Sequence, residues 1–209
     1  MTLRQPNVER MLQLGLPGMV EALEEQRDIA DIDQLAFDDR LAMMLEREVQ
    51  HRDHKSYLAH LRQAQLRIRA VVQDVDCRAG RGIARTTLTQ LATGDWIRQA
   101  FNLILVGPTG SGKTFVACAL AHQACRQKQS VLYRRVPELV SELARARDRG
   151  THHRLMRRLA KVSLLVLDDW GLQNFSAEGR RDLLEIVEQR HARASLLIAS
   201  QIPWSIGRK

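Results

Sequence analysis

Residues 107–114 form an eight-residue segment with the pattern G-x-x-x-x-G-K-T, which few folds accommodate. Its glycines allow the backbone to curl so that successive N–H groups point inward, an arrangement that cradles phosphate oxygens. An apolar run precedes the segment and a helix-forming run follows it, as a P-loop requires. The segment is therefore predicted to bind a nucleotide through Gly107, Pro108, Thr109, Gly110, Ser111, Gly112, Lys113 and Thr114.

Two side chains of this P-loop have specific predicted roles. Lys113 is expected to reach the β- and γ-phosphates and to act in catalysis, and Thr114 is expected to offer its hydroxyl to Mg²⁺. The helix that begins near Gly112 points its positive end at the same place. The expected cofactors are therefore ATP and Mg²⁺.

Short apolar runs rich in branched residues recur after Trp96, and helix-length segments separate them. Short buried strands that alternate with helices predict an α/β domain with a parallel sheet. Ligands of such sheets bind at the carboxyl ends of the strands, so the chemistry is expected just after each run. The runs lie at residues 103–106, 131–133, 164–167 and 196–199.

Polar residues follow the third and fourth runs. Asp168 and Asp169 are adjacent carboxylates at one strand end, and they repel each other unless a cation compensates their charge. Asp168 is predicted to hold Mg²⁺ through water, and Asp169 to orient and activate the attacking water. Gln201 is predicted to hydrogen-bond the γ-phosphate or that water, with an ordinary polar strand end as the alternative.

The first part of the chain predicts helices. Leu41, Met44, Leu45 and Val49 recur at the spacing of one helix face. Glycines and arginines at residues 78–82 indicate a flexible boundary. We therefore expect a small all-helical N-terminal domain at residues 1–77, a linker at 78–95 and a P-loop core at 96–209.

The charge of the chain is unevenly distributed. The whole chain has a net charge of +8, and residues 126–161 hold 11 basic residues against three acidic ones. Such a cluster is typical of surfaces that bind nucleic acid, and a solvated helical face is the alternative. No base-reading motif accompanies it, so any binding is expected to be largely independent of sequence.

The compartment is predicted from three absences in the sequence. The N-terminus lacks the apolar core of a signal peptide, and no apolar run approaches the ~20 residues of a membrane span. Cys77, Cys118 and Cys125 have no CxxC spacing, and their odd number argues against a disulfide scaffold. We therefore expect a cytoplasmic protein without a membrane partner.

Longer segments resemble a known family. The stretches "NLILVGPTGSGKTFVACALAHQACRQ", "LLVLDDWGL" and "LLIASQIP", with "GMVEALEEQ" near the N-terminus, resemble the IstB-like helper ATPases of insertion-sequence transposition. These are AAA+ proteins related to the DnaC-type helicase loaders. The resemblance covers the chain from about residue 8 to Pro203.

The resemblance implies a helical N-terminal domain and a five-stranded parallel AAA+ core. It further implies ATP binding, assembly into oligomers on double-stranded DNA, and a partner transposase whose target use the protein regulates. Residues 78–82 would lie on the adenine side, Asp168 and Asp169 would serve Mg²⁺ and water activation, and Gln201 would be the sensor.

The chain departs from the family pattern in ways that bear on catalysis. Asp169 stands where many of these ATPases have Glu, and Gln201 where many have Asn. The arginine expected from a neighbouring subunit has no match after Gln201, where Arg208 is the one arginine, so the core is expected to be C-terminally incomplete. ATP binding with weak or absent hydrolysis is predicted. The alternatives are a nucleotide-binding interaction module without turnover, a helicase-loader-like replication protein, and a small-molecule P-loop kinase.

Overall fold

The computed structural model describes residues 4–78, 82–172 and 174–201. Nine α-helices occur in these residues: α1 Arg4–Gln13, α2 Pro17–Arg27, α3 Phe37–Ala64, α4 Arg85–Ala92, α5 Asp95–Arg98, α6 Lys113–Arg126, α7 Val136–Asp148, α8 His152–Lys161 and α9 Ala177–Arg190. Four strands accompany them: β1 Leu103–Val106, β2 Val131–Arg135, β3 Leu164–Trp170 and β4 Ser195–Ser200. Single 3₁₀ turns lie at Ile32–Gln34 and Val72–Asp74.

The four strands form one parallel sheet in the order β1-β4-β3-β2. Every residue of β4 is buried, as is expected of a central strand covered on both faces. The predicted α/β fold with a parallel sheet is therefore confirmed. The resemblance implied five strands, whereas the described residues form four. In this part of the chain β1 is an edge strand, with Ile104 and Val106 39% and 47% exposed.

Helices cover the sheet and bury a continuous apolar core. Side chains of α7, α8 and α9 pack against alternate residues of β2, β3 and β4, such as Leu132, Leu165 and Ile198. The helix that follows the P-loop, α6, contacts all four strands. It buries mainly alanines and the thiols of Cys118 and Cys125, which allows its backbone to approach the sheet closely. This packing holds the carboxyl ends of the strands beside the start of α6.

Two compact units make up the chain, Met1–Leu58 and Ala59–Lys209. In the first unit, the N-terminus of α2 packs closely on α3. The approach requires glycine at position 18, since a Cβ there would lie 2.7 Å from Arg47 O. The buried Glu48 carboxylate accepts hydrogen bonds from the N–H groups of Gly18 and Met19. Burial alone would raise the pKa of Glu48, but the Arg52 guanidinium and these two N–H groups outweigh burial and lower it.

The second unit includes residues that the sequence assigned to the N-terminal domain. Ala64, Ala70 and Val75 are buried, and the 3₁₀ turn at Val72–Asp74 packs against α6. The division at residue 58 therefore differs from the predicted domain end at 77, because residues 59–78 pack with the sheet unit. Residues 79–81 of the predicted boundary lie outside the described residues. Among the described residues, no helix combines the length and the apolar character that a membrane span requires.

Candidate functional site

The P-loop joins the end of β1 to the start of α6. Gly110 and Gly112 have φ of +79° and +90°, a region that favours glycine. A Cβ at Gly107 would lie 2.9 Å from Ser111 Oγ, so the loop closes tightly on itself. The Lys113 ammonium lies within this curl and donates to the carbonyl oxygens of Gly107 and Pro108 at 2.7 and 2.8 Å. The loop therefore places the Lys113 ammonium beside the N-terminus of α6, and this combination binds phosphate.

Asp168 lies at the end of β3 and faces the start of α6. Its Oδ2 accepts hydrogen bonds from Thr114 Oγ1 and from the Tyr133 hydroxyl, both at 2.7 Å. The residue is 2% exposed. Burial, reinforced by the bond to Asp168, raises the pKa of the Tyr133 phenol well above its ordinary value. Tyr133 is therefore a lasting hydrogen-bond donor to this carboxylate.

The Thr114 hydroxyl and the Asp168 carboxylate lie side by side, 2.7 Å apart, and both are hard oxygen ligands. Mg²⁺ prefers such ligands, and it usually takes one or two from protein and the rest from water and phosphates. The described residues contain no cluster of three or more His, Cys, Asp or Glu side chains that could hold a metal by themselves. The residues present therefore fit a cation that binds together with a nucleotide.

Asp169 follows at a strand irregularity. The register between β3 and β4 shifts between Leu167 and Trp170, and Asp169 has φ +58°. Such a bulge re-aims a side chain at the end of a strand. The Asp169 carboxylate accepts from Arg135 Nε at 2.6 Å, and Arg67 Nη1 lies 3.8 Å away. The hydrogen bond to Asp169, with one to Glu138, raises the pKa of Arg135. The residue predicted to activate water is thus engaged by two guanidinium groups.

Gln201 lies against the P-loop. Its Oε1 accepts a hydrogen bond from Thr109 Oγ1 at 2.6 Å, and the N–H of Gly107 donates to Ser200 O at 3.3 Å. A cavity of about 330 Å³ opens between the loop and the strand ends. It is lined by the predicted catalytic and metal-binding residues, which are Lys113, Thr114, Asp168, Asp169 and Gln201.

A second cavity, of about 510 Å³, adjoins the other side of Lys113. Its walls are mainly apolar and include Ile83, Leu91 and the exposed β1 side chain of Ile104. Gly82, the last residue of the predicted adenine-side segment, also lines it. An apolar cavity beside a phosphate-binding loop suits a flat heteroaromatic base.

A family comparison matches nearly the whole chain. The profile described as "IstB-like ATP binding protein" (IstB_IS21) covers residues 9–206. The chain belongs to the IstB-like family of ATP-binding proteins. This IstB-like chain is 45% identical over 204 residues to "Insertion sequence IS1162 putative ATP-binding protein" of Pseudomonas fluorescens. The matched region covers 97% of this chain and 88% of that protein. It is also 45% identical over 203 residues to "Putative insertion sequence ATP-binding protein y4pL" of Sinorhizobium fredii, with 97% and 83% covered.

Solved structures resemble the IstB-like chain in fold. The DnaC helicase loader gives a TM-score of 0.54 at 18% identity, with 67% of this chain and 80% of that chain covered. AMPPCP-bound DnaA from Aquifex aeolicus gives 0.58 at 17% identity, with 66% and 44% covered. These likenesses show the AAA+ fold, and with the family match they confirm the resemblance stated from the sequence.

Some residues of this IstB-like site were missed by the sequence reasoning. Arg135 is the last residue of β2, so the rule that chemistry lies at the carboxyl ends of strands could have found it, whereas Tyr133 lies in the middle of β2. Ile68 lines the phosphate-side cavity and Arg67 approaches Asp169, and neither belongs to a motif. Only the packing of residues 59–78 on the sheet unit brings these two residues to the site.

Two further cavities, on the two sides of α8, are lined largely by basic side chains. We define the α7–α8 hollow, of about 730 Å³, by Arg145, Arg149, Arg154 and Arg158. We define the α8–α9 hollow, of about 600 Å³, by Arg98, Arg157, Lys161 and Arg193. Most of the basic stretch predicted at 126–161 therefore forms concave cationic surfaces.

Proposed function

We propose that this protein is an ATP-binding, DNA-associated helper of insertion-sequence transposition that regulates a transposase and its use of target DNA. The observation that carries the proposal is one cavity, lined by the P-loop, Asp168, Asp169 and Gln201. The names of its relatives support the coarser part, since they describe ATP-binding proteins of insertion sequences. The transposase partner and self-association into an ATP-dependent oligomer on DNA rest on the family resemblance.

In this proposal, the phosphates and the base of the nucleotide bind in two different cavities beside the P-loop. The loop N–H groups and Lys113 bind the phosphates, and the apolar cavity that contains Ile83 and Ile104 binds the base. Thr114 and, through water, Asp168 hold Mg²⁺, which when bound neutralises charge on the phosphates. Tyr133 fixes the orientation of the Asp168 carboxylate by its hydrogen bond.

Binding without rapid turnover is the state that the side-chain contacts favour. Asp169 is positioned beside the cavity, but its carboxylate is committed to Arg135. A carboxylate that is ion-paired to a guanidinium is a poor acceptor for a proton from water. This contact also favours the second candidate, a nucleotide-binding interaction module without turnover.

DNA binding is proposed for the two hollows beside α8. Seven of their basic side chains make no ion pair within 4.0 Å among the described residues: Arg145, Arg149, Arg154, Arg157, Arg158, Lys161 and Arg193. Clustered like charges without counter-ions repel one another, and a polyanion relieves this repulsion. Because phosphates carry no sequence information, the binding is largely independent of sequence.

Replacing Lys113 with alanine tests the nucleotide site. A fluorescent ATP analogue should bind the wild-type protein, and Lys113→Ala should lose at least about tenfold in affinity because a charge-assisted bond to phosphate is removed. Lys55→Ala is the matched control, since Lys55 is an exposed lysine in the other compact unit. Equal binding by the wild-type and Lys113→Ala proteins, with unchanged thermal melting, would mean that the site is assigned wrongly.

A further inference from the structure

The exposed side chains of α8 are four cations and His153. Met156 and Leu159 anchor the helix on the core, while Arg154, Arg157, Arg158 and Lys161 are exposed. At 3.6 residues per turn, these four positions lie within an arc of about 100°. We call these four side chains and the helix surface that carries them the α8 ridge.

The α8 ridge separates the two hollows. Arg154 and Arg158 border the α7–α8 hollow, whereas Arg157 and Lys161 border the α8–α9 hollow. Each hollow continues outward to further cations, Arg149 on one side and Arg193 on the other. A convex helix is thus flanked by two concave cationic surfaces.

Acidic side chains do little to neutralise this surface. Glu142 is the acidic residue among those that line the two hollows, and its carboxylate is bonded to Arg134 at 3.1 Å. Arg98 pairs with Asp95, outside the lining of the α8–α9 hollow. Two adjacent rows of cations without ion pairs therefore run along the exposed face of α8, and each row borders one hollow.

A short turn that contains glycine joins α7 to α8. The turn consists of Arg149, Gly150 and Thr151, and Gly150 has φ +65°. Helix-turn-helix motifs share this kind of turn, and their second helix enters the major groove of DNA.

Both ends of α8 are fixed to the core. At the start of the helix, His152 Nε2 and Arg147 lie 3.2 and 2.7 Å from Oδ1 of the buried Asp182. At its end, the buried Arg190 donates to the carbonyl oxygens of Leu159 and Ala160. Because both ends are held, the backbone of α8 has little conformational entropy left to lose on binding.

We propose that the α8 ridge enters the major groove of duplex DNA and that the phosphates of the two strands lie in the two hollows. This inference rests on the DNA binding in the proposed function, and it adds the groove and the binding geometry. The major groove of B-DNA, about 12 Å wide, admits a helix, whereas the minor groove is about 6 Å wide. Duplex RNA has a deep, narrow major groove, and a single strand supplies one row of phosphates for one hollow.

Paired substitutions on each side of the ridge test the two-strand geometry. Fluorescence anisotropy with a labelled duplex, ATP and Mg²⁺ is measured over a salt series for Arg154→Gln/Arg158→Gln and for Arg157→Gln/Lys161→Gln. Each pair should weaken binding by roughly tenfold and reduce the salt slope by about 2, since each lost phosphate contact removes about 0.9. Arg10→Gln/Arg27→Gln removes the same charge from the other compact unit and should leave the slope unchanged.

Blocked duplexes test the groove. Glucosylation of 5-hydroxymethylcytosine fills the major groove, and netropsin fills the minor groove at A·T sites. The wild-type protein should lose binding to the glucosylated duplex, keep binding to the netropsin-bound duplex, and prefer duplex DNA to duplex RNA and single-stranded DNA. Thermal melting of each variant shows whether it is folded.

The outcomes separate the two claims. If the folded wild-type protein binds no DNA, the DNA part of the proposed function and this inference both fail. If it binds DNA with a steep salt dependence but only one pair of substitutions reduces the slope, DNA binding stands and the two-strand geometry is wrong. If it tolerates glucosylation and loses binding with netropsin, the helix does not enter the major groove.

Discussion

Replacing Arg135 with glutamine is expected to raise the rate of ATP hydrolysis. Arg135 Nε donates to Asp169 Oδ2 at 2.6 Å, so Asp169 must leave this guanidinium before it accepts a proton from water. Glutamine removes the charge and keeps a polar side chain at the end of β2. The substitution therefore releases the carboxylate without opening a large space.

The magnitude follows from the burial of this pair. Exposed ion pairs contribute about 0–1 kcal/mol, and hydrogen bonds to charged groups contribute about 1.5–3 kcal/mol. The side chains of Asp169 and Arg135 are 15% and 34% exposed, so the pair falls between these limits, at about 1–2 kcal/mol. Since 1.36 kcal/mol is tenfold in rate, turnover should rise roughly 5- to 30-fold. Arg67 Nη1, 3.8 Å from the same carboxylate, limits the gain.

Phosphate release at saturating ATP and Mg²⁺ measures this effect, and analogue binding shows that ATP affinity is retained. Glu138→Gln is the matched control, because Glu138 Oε1 accepts from Arg135 Nη1 at 2.8 Å without being part of the Asp169 contact. This control should not raise turnover. A rate for Arg135→Gln that equals or falls below the wild-type rate, at equal ATP affinity, would refute the argument that Arg135 restrains Asp169.

Two further predictions concern stability. Arg190, 1% exposed, donates to the carbonyl oxygens of Leu159 and Ser195, each at 2.6 Å. Burial lowers the pKa of Arg190 to about 10, and the desolvation cost of the buried charge offsets part of the energy of those hydrogen bonds. Arg190→Met should therefore destabilise the protein by about 2–4 kcal/mol, measured by urea unfolding. A loss of stability below about 1 kcal/mol would contradict this. The pKa of Glu48 is lowered from 4.5 in the folded protein, so the ionised carboxylate stabilises the fold above pH 4.5. This stabilisation is lost as the pH falls through the lowered pKa. Glu48→Gln should therefore melt earlier than the wild-type protein near pH 7 and lose less stability near pH 3, and equal losses would contradict this.

The sequence predicted much of the candidate site because its signals are local. The positive φ of Gly110 and Gly112 and the tight closure at Gly107 are properties of one short segment. Asp168, Asp169 and Gln201 were predicted to lie together because parallel strands end at the same edge of a sheet. The geometry agrees with that rule, since all three line one cavity with Lys113 and Thr114.

Predictions from periodicity failed where packing decided the outcome. Leu45 and Val49 were assigned to the apolar stripe of a helix, and both are more than half exposed on α3. Met44, from the same predicted stripe, is buried, as is the acidic Glu48. Periodicity marks the face of a helix that can be buried, but the neighbouring helix determines which of its residues are covered.

The P-loop, the alternation of strands and helices, and the family could all be read from the amino-acid sequence, because each depends on nearby residues or on their order. The contact between Arg135 and Asp169 and the two arginine-lined hollows beside α8 became visible only in the folded chain. Arg135 reaches Asp169 because β2 pairs with β3, with Arg135 opposite Asp168. Contacts of this kind join residues that are distant in the chain, and their energies depend on burial that arises only when the sheet and its helices pack together.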